Sequence, residues 1–257
     1  MKRFALILFV ALAAAALIGC GGDDPVRTGF TPGQTVEAYN YVHGGYIGQA
    51  VVTVTEDGVL DATLDEAFMP HTLAIVDMDA DEWTEDNTVY YLQRGNQVRV
   101  AKHIAYDGTN YVGTTVGGAL IYVEADDEGN PAGNVDLELQ LIRNEASMAA
   151  WFENIADGKF VLFTEFGGEP QPVTTTSYGS LFKRDSTYWN FGIGWMGNIE
   201  ALEEAVANYG TGFSLDEMVR RGDDRWALAD AVTGATLSDF PDYFGLVQMA
   251  VGRLSME

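Results

Sequence analysis

The chain has 257 residues, and its 38 acidic side chains outnumber the 14 basic ones, which gives a formal net charge of −24 at pH 7. A surface of this charge repels nucleic-acid phosphates and anionic lipid headgroups, so no nucleic acid is expected as a partner. Cys20 is the single cysteine, which excludes internal disulfides, thiolate zinc sites and iron–sulfur clusters. Any redox chemistry would need a cofactor without sulfur ligands.

The first 19 residues are arranged like a secretory signal peptide. A short basic start precedes an apolar stretch from Phe4 to Ile18, which is too short to span a membrane comfortably. The sequence Leu17-Ile18-Gly19-Cys20 resembles the bacterial lipobox. This resemblance implies that Cys20 is diacylated and anchors the protein in the cell membrane or outer membrane, on the extracytoplasmic face. The alternative is an ordinary signal peptide in which Cys20 has no role.

Residues 20–36 are polar and rich in glycine and proline. This composition predicts a flexible tether between the lipidated cysteine and a folded part at 37–257. The remaining length is enough for one large domain or two small ones.

Short segments of alternating apolar and polar residues predict a mainly antiparallel sheet. The clearest pair, 49–55 and 59–64, flanks the turn Glu56-Asp57-Gly58. Further strands are predicted at 88–92, 97–104, 119–124, 135–142, 159–164, 178–182 and 188–193. Helices are predicted at 146–155, from Asn198 as the N-cap to Tyr209, and briefly after Ser214. The predicted fold class is α+β, with antiparallel sheet packed by a few helices.

The last predicted element is an amphipathic helix that follows a hydroxyl-rich turn. Its apolar residues recur at steps of three and four: Phe240, Tyr243, Phe244, Val247, Val251 and Leu254. Ser238 is the predicted N-cap, and the turn before it ends at Thr236. A hydroxyl beside backbone N–H groups at a helix start is a place where a phosphate group is readily stabilised.

The segment Asp230-Ala231-Val232-Thr233-Gly234-Ala235-Thr236-Leu237-Ser238 resembles the flavinylation motif of the FMN-binding domain family. Similar proteins include flavin-carrying subunits of sodium-pumping NADH:quinone oxidoreductase and of Rnf complexes. The resemblance implies that Thr236 carries a covalent FMN through a phosphoester. It also implies a cofactor-binding motif around that threonine, formed by Asp230, Thr233, Gly234, Ala235 and Ser238. The alternative is an ordinary loop in which Thr236 is a surface hydroxyl.

A second, weaker similarity to the family lies near the start of the folded part. Gly45-Tyr46-x-Gly48 and the hairpin after it resemble the opening hairpin of the FMN-binding domain. Residues 125–198 do not match the family pattern, so an insertion or a second subdomain is predicted there.

The resemblance implies a membrane-anchored extracytoplasmic electron carrier. Its expected partners are a flavin transferase that uses FAD and Mg, and a membrane electron donor and acceptor that are quinone-linked or cytochromes. An electron-transfer protein is favoured over an enzyme with its own substrate. Two alternatives stay open: a ligand-binding or structural lipoprotein that keeps the fold without flavin, and a reductase of small acceptors that uses the same flavin.

Other residue types that carry chemistry form no clear pattern. His43, His71 and His103 lie on unrelated segments, so neither a metal site nor a catalytic group is predicted. Four aromatic residues upstream of the motif could offer flat contacts to a flavin ring, although core packing is the commoner role of such residues: Trp189, Phe191, Trp195 and Trp226.

Overall fold

The fold is that of a computed structural model, which describes residues 25–42, 45–93, 95–228 and 231–256. The predicted signal peptide and Cys20 lie outside these residues, so the lipid anchor stays a prediction.

Helices and mainly antiparallel sheets occur together, which confirms the predicted α+β class. The strands are β1 (Thr35–Val42), β2 (Tyr46–Val54), β3 (Leu60–Ala67), β4 (Thr88–Gln93), β5 (Asn96–Ala101), β6 (His103–Tyr106), β7 (Thr109–Val116), β8 (Ala119–Glu124), β9 (Phe160–Phe163), β10 (Gln171–Pro172), β11 (Val219–Arg221), β12 (Arg225–Leu228) and β13 (Ala231–Val232). The helices are α1 (Pro70–Leu73), α2 (Leu137–Leu141), α3 (Glu145–Ala156), α4 (Gly194–Tyr209) and α5 (Phe240–Val251). The predicted C-terminal amphipathic helix is α5.

The first sheet has the order β1-β2-β3 and is antiparallel. The predicted turn joins β2 to β3, and Gly58 within it has a φ of 77°, a conformation that favours glycine. Helix α5 packs on β1 and β2. A Cβ on Gly48 would lie 2.9 Å from Leu246 Cδ2, so glycine at this position lets α5 approach the sheet closely.

The second large sheet has the order β10-β9-β6-β7-β8. Trp151 of α3 connects it to the first sheet. The indole ring of Trp151 packs against Phe160 of β9, with ring centroids 5.6 Å apart, and its N–H donates to the carbonyl of Phe68 at 3.1 Å. Two small sheets, β4-β5 and β11-β12-β13, complete the described sheet structure.

Four predicted elements are wrong. Residues 135–142 contain helix α2 rather than a strand, because the Asp136 carboxylate accepts the N–H of Glu138 and caps the helix. Residues 178–182 and 188–193 form turns and bends, in which hydroxyl groups bond to nearby backbone; Thr176 Oγ1, for example, donates to the Ser180 carbonyl at 2.7 Å. The segment after Ser214 makes one 3-10 turn, Leu215–Glu217, followed by β11.

The folded part begins upstream of the predicted boundary at residue 37. The N–H of Thr28 donates to the Gly58 carbonyl at 2.7 Å, and the N–H of Thr31 donates to the Ser255 carbonyl at 3.1 Å. These bonds attach the end of the predicted 20–36 tether to the β2–β3 turn and to the C-terminal end of the chain. A flexible tether would therefore have to lie before this stretch.

Residues 125–198, predicted as an insertion or subdomain, contribute to the same hydrophobic core as the first sheet. They also supply a buried charge. The Lys183 ammonium is paired with the Glu66 carboxylate, and both side chains are 0 % exposed. Tyr243 of α5 donates its hydroxyl to Glu66 Oε1 at 2.7 Å, and the indole N–H of Trp195 in α4 donates to that hydroxyl at 3.3 Å. Burial and the nearby carboxylate raise the pKa of Tyr243, so its hydroxyl stays a donor.

The next residue, Arg184, repeats this connection closer to the surface. Its guanidinium donates to Glu203 Oε1 of α4 at 2.7 Å and to the Leu64 carbonyl of β3 at 2.9 Å. The consecutive residues Lys183 and Arg184 thus attach the loop that carries them to β3 and to α4, the helix beside the motif.

We expect Lys183→Met to lower the free energy of unfolding by about 3–5 kcal/mol, because it leaves the Glu66 carboxylate buried without its cation. Lys159→Met is the matched control: Lys159 is 44 % exposed and lies 3.5 Å from Asp107, and such surface pairs contribute about 0–1 kcal/mol. Denaturant unfolding of both variants measures the difference. A loss in Lys183→Met no larger than in Lys159→Met would contradict the importance of the buried pair.

Candidate functional site

The predicted motif forms the loop between β13 and α5. Thr233 is buried, and its hydroxyl accepts the N–H of Ala235 at 3.2 Å, which closes a tight turn. Ala235 is fully buried, Gly234 and Ser238 are exposed, and Thr236 is half-buried. Asp230 lies outside the described residues. The predicted acceptor therefore has a hydroxyl at the border between core and solvent.

Asn198 holds the loop from the side of α4. Its side-chain oxygen accepts the N–H of Thr236 at 2.7 Å and the N–H of Leu237 at 2.8 Å. Its amide group donates to the Gly194 carbonyl at 2.6 Å, and the residue is 2 % exposed. The predicted role of Asn198 as the N-cap of this helix is wrong: α4 begins at Gly194, and Asn198 caps the motif loop instead.

Trp226 holds the loop from the side of β12. Its backbone N–H donates to the Ala235 carbonyl at 2.9 Å, and its carbonyl accepts the N–H of Thr233 at 2.7 Å. Its indole N–H donates to the Leu237 carbonyl, and its ring stacks on Phe240 with the centroids 5.8 Å apart. Polar groups on both sides thus fix the backbone of the motif.

The prediction that Ser238 is the N-cap of α5 is wrong. The helix begins after Asp239, which makes no side-chain cap bond, and the Ser238 hydroxyl donates to the Asp239 carboxylate at 2.9 Å. The N–H groups of Thr236 and Leu237 point to Asn198 rather than to solvent. A phosphate on the Thr236 hydroxyl would therefore find these two N–H groups already occupied.

An arginine-rich hairpin, whose turn also carries Asp223 and Asp224, lies next to the motif in this acidic protein. Strands β11 and β12 carry Arg220, Arg221 and Arg225, and Arg221 is directly opposite Arg225 in the register. Arg220 is paired with Asp224, and its guanidinium carbon lies 5.0 Å from the ring centroid of Trp226. The sequence analysis did not identify this hairpin, although three arginines within six residues of such an acidic chain are a usable signal.

Little space lies between the motif loop and helix α4. A hollow between Thr233, Gly234 and α4 measures about 90 Å³, enough for a few water molecules but not for a flavin ring. Trp195, a candidate flavin contact, is buried and serves the hydrogen-bond chain to Glu66. Trp226 is half-buried at the loop itself.

A separate cleft holds His71. Its ring Nδ1 lies 2.8 Å from Glu138 Oε1, and its backbone N–H donates to the same oxygen at 2.9 Å. His103 is elsewhere, against Phe166, with ring centroids 5.4 Å apart, and burial lowers its pKa. His43 lies outside the described residues, and no group of three metal-ligating side chains occurs within the described ones.

No family model, curated protein or solved structure matches this chain. The similarity to FMN-binding domains therefore rests on the sequence motif. Among the residues that the structure describes, no helix has both the length and the apolarity needed to cross a membrane.

We expect Asn198→Ala to lower the free energy of unfolding by about 2–3 kcal/mol, because it leaves two N–H groups of the motif loop without an acceptor. Asn208→Ala, the same change on the same helix at a half-buried position, should cost less than about 1 kcal/mol. Hydrogen exchange gives the local readout: the amides of Thr236 and Leu237 should exchange faster in Asn198→Ala alone. Unchanged exchange at these two amides would contradict the assigned role of Asn198.

Proposed function

We propose that this protein is an extracytoplasmic, lipid-anchored electron carrier with FMN attached covalently to Thr236. The observation that carries the proposal is the placement of Thr236 within its motif. Thr236 is half-buried, and hydrogen bonds to Asn198 and Trp226 fix the surrounding backbone. A modifying enzyme needs an acceptor that is both accessible and held in one geometry.

The side chains around the loop are compatible with a flavin phosphate. Thr236 would hold the phosphoester, and the adjoining hairpin carries Arg221 and Arg225 at opposed strand positions. The hollow of about 90 Å³ is too small for the isoalloxazine ring, so the ring would lie outside this hollow. When bound, FMN supplies one- and two-electron chemistry, while the protein sets its attachment and exposure.

The small residues of the motif have a physical role in this proposal. Ala235 is fully buried, and a Cβ on Gly234 would lie 3.1 Å from the Cβ of Ala201 in α4. The loop therefore packs closely on the helix that carries Asn198. This close packing keeps Thr236 at the edge of the core, where a transferase that uses FAD and Mg could reach it.

The second candidate is a ligand-binding lipoprotein without flavin. The cleft at His71 and Glu138 favours it, because this cleft combines aromatic walls with a paired imidazole and carboxylate. The two candidates differ in one covalent bond, which mass spectrometry detects directly.

Co-expression with a flavin transferase should raise the intact mass of the processed protein by one FMN less one water. Thr236→Val removes the hydroxyl with little change of shape and should abolish this gain. Thr236→Ser keeps a hydroxyl at the same position and should retain some gain. Thermal unfolding should be similar for the wild type and Thr236→Val, because the Thr236 hydroxyl makes a long and therefore weak hydrogen bond to Asn198 Oδ1, at 3.4 Å.

The same experiment separates the candidates. A gain that persists in Thr236→Val would place the flavin elsewhere. No gain in the wild type, with a transferase proven active on another substrate protein, would leave the ligand-binding lipoprotein as the better account.

A further inference from the structure

A cleft of about 280 Å³ lies where β1, β2, β4, α1 and α2 meet, apart from the motif loop. Tyr41, Tyr46 and Tyr91 form aromatic walls, and Gln93, His71 and Glu138 supply polar groups. The volume is at the lower end for small-molecule sites and suits a molecule of one or two rings.

Glu138 determines which nitrogen of His71 is available. The carboxylate oxygen lies 2.8 Å from Nδ1 and also accepts the His71 backbone N–H, so it orients the imidazole and favours the proton on Nδ1. The other nitrogen, Nε2, is then the acceptor of the neutral ring. The side chain of His71 is 21 % exposed and that of Glu138 is 25 % exposed, so both side chains are accessible to solvent.

The walls and charges of the cleft restrict the occupant. The ring of Tyr91 lines the cleft and lies edge-on to the imidazole, with the centroids 6.4 Å apart. Burial and the Glu138 carboxylate raise the pKa of Tyr41, so this side chain stays neutral. Among the described lining residues, the Glu138 carboxylate disfavours an anionic ligand, whereas a neutral ring that carries a hydroxyl meets a hydrogen-bond acceptor and aromatic side chains.

We propose that this cleft binds a neutral planar aryl alcohol, of the phenol or hydroquinone class, whose hydroxyl donates to Nε2 of His71. Glu138 positions the imidazole, and Tyr91 and Tyr41 contact the ring of the ligand. The site is independent of the flavin and needs no modification of Thr236.

The test uses 2-naphthol and naphthalene as probes, with flavin-free Thr236→Val protein as the parent so that flavin fluorescence does not interfere. The parent should bind 2-naphthol with saturation and about tenfold more tightly than naphthalene, the contribution of one hydrogen bond. His71→Phe keeps an aromatic ring but removes the acceptor. It should therefore bind 2-naphthol no more tightly than the parent binds naphthalene. His103→Phe, a histidine outside the cleft, should bind like the parent.

A second pair of variants tests the aromatic side chains of the cleft. This pair still tests the proposal if His71→Phe does not fold. Tyr91→Leu should weaken the binding of both probes several-fold, while Tyr90→Leu, the exposed neighbour on the opposite face of β4, should change neither. Equal affinity of the parent for both probes, or no saturable binding of 2-naphthol, overturns the proposal. Unchanged binding in Tyr91→Leu overturns it as well.

Discussion

The position of the candidate flavin acceptor depends on one amide oxygen. Asn198 Oδ1 accepts two successive N–H groups of the loop that carries Thr236, so the loop follows helix α4. That helix is in turn attached through Glu203 to Arg184, and Arg184 donates to the backbone of β3. A continuous set of polar contacts therefore connects the motif to the first sheet. Backbone groups of a loop buried at this depth require such partners, because water cannot replace them.

The buried ion pair strengthens the same connection from inside the core. Lys183 and Glu66 have no solvent exposure, and Tyr243 and Trp195 link the carboxylate to α5 and α4, the two helices on either side of the motif loop. Burying such a pair costs desolvation energy, and a well-packed apolar core of equal volume is often at least as stable. What the pair contributes is a fixed relative position of β3, α4 and α5. The proposed FMN would be joined to the protein at the far end of its ribityl chain, so these helices would control the placement of the attachment point.

Local sequence patterns predicted the parts of the fold that are determined locally. The hairpin around Gly58 follows from turn chemistry, and α5 follows from the spacing of its apolar residues, because both depend on residues close in sequence. Residue types alone also marked Thr233 to Thr236 as a tight turn. The role of Asn198 could not be predicted in this way, because its partners in the loop lie 38 and 39 positions away along the chain. The same holds for Lys183, whose partner Glu66 is on a strand in the first third of the chain. The attachment of Thr28 was missed because its glycine- and proline-rich surroundings have the composition of a linker, while its hydrogen bond reaches the distant Gly58 carbonyl.

Localising the modification within the chain tests the central claim most directly. Trypsin should release the peptide from Trp226 to Arg253, which contains Thr233, Thr236 and Ser238 as hydroxyl acceptors. Fragment ions from flavinylated protein should place FMN on Thr236, since Thr233 is only 4 % exposed and its hydroxyl already accepts a backbone N–H. FMN on Thr233 or Ser238, or on a different peptide, would contradict the account.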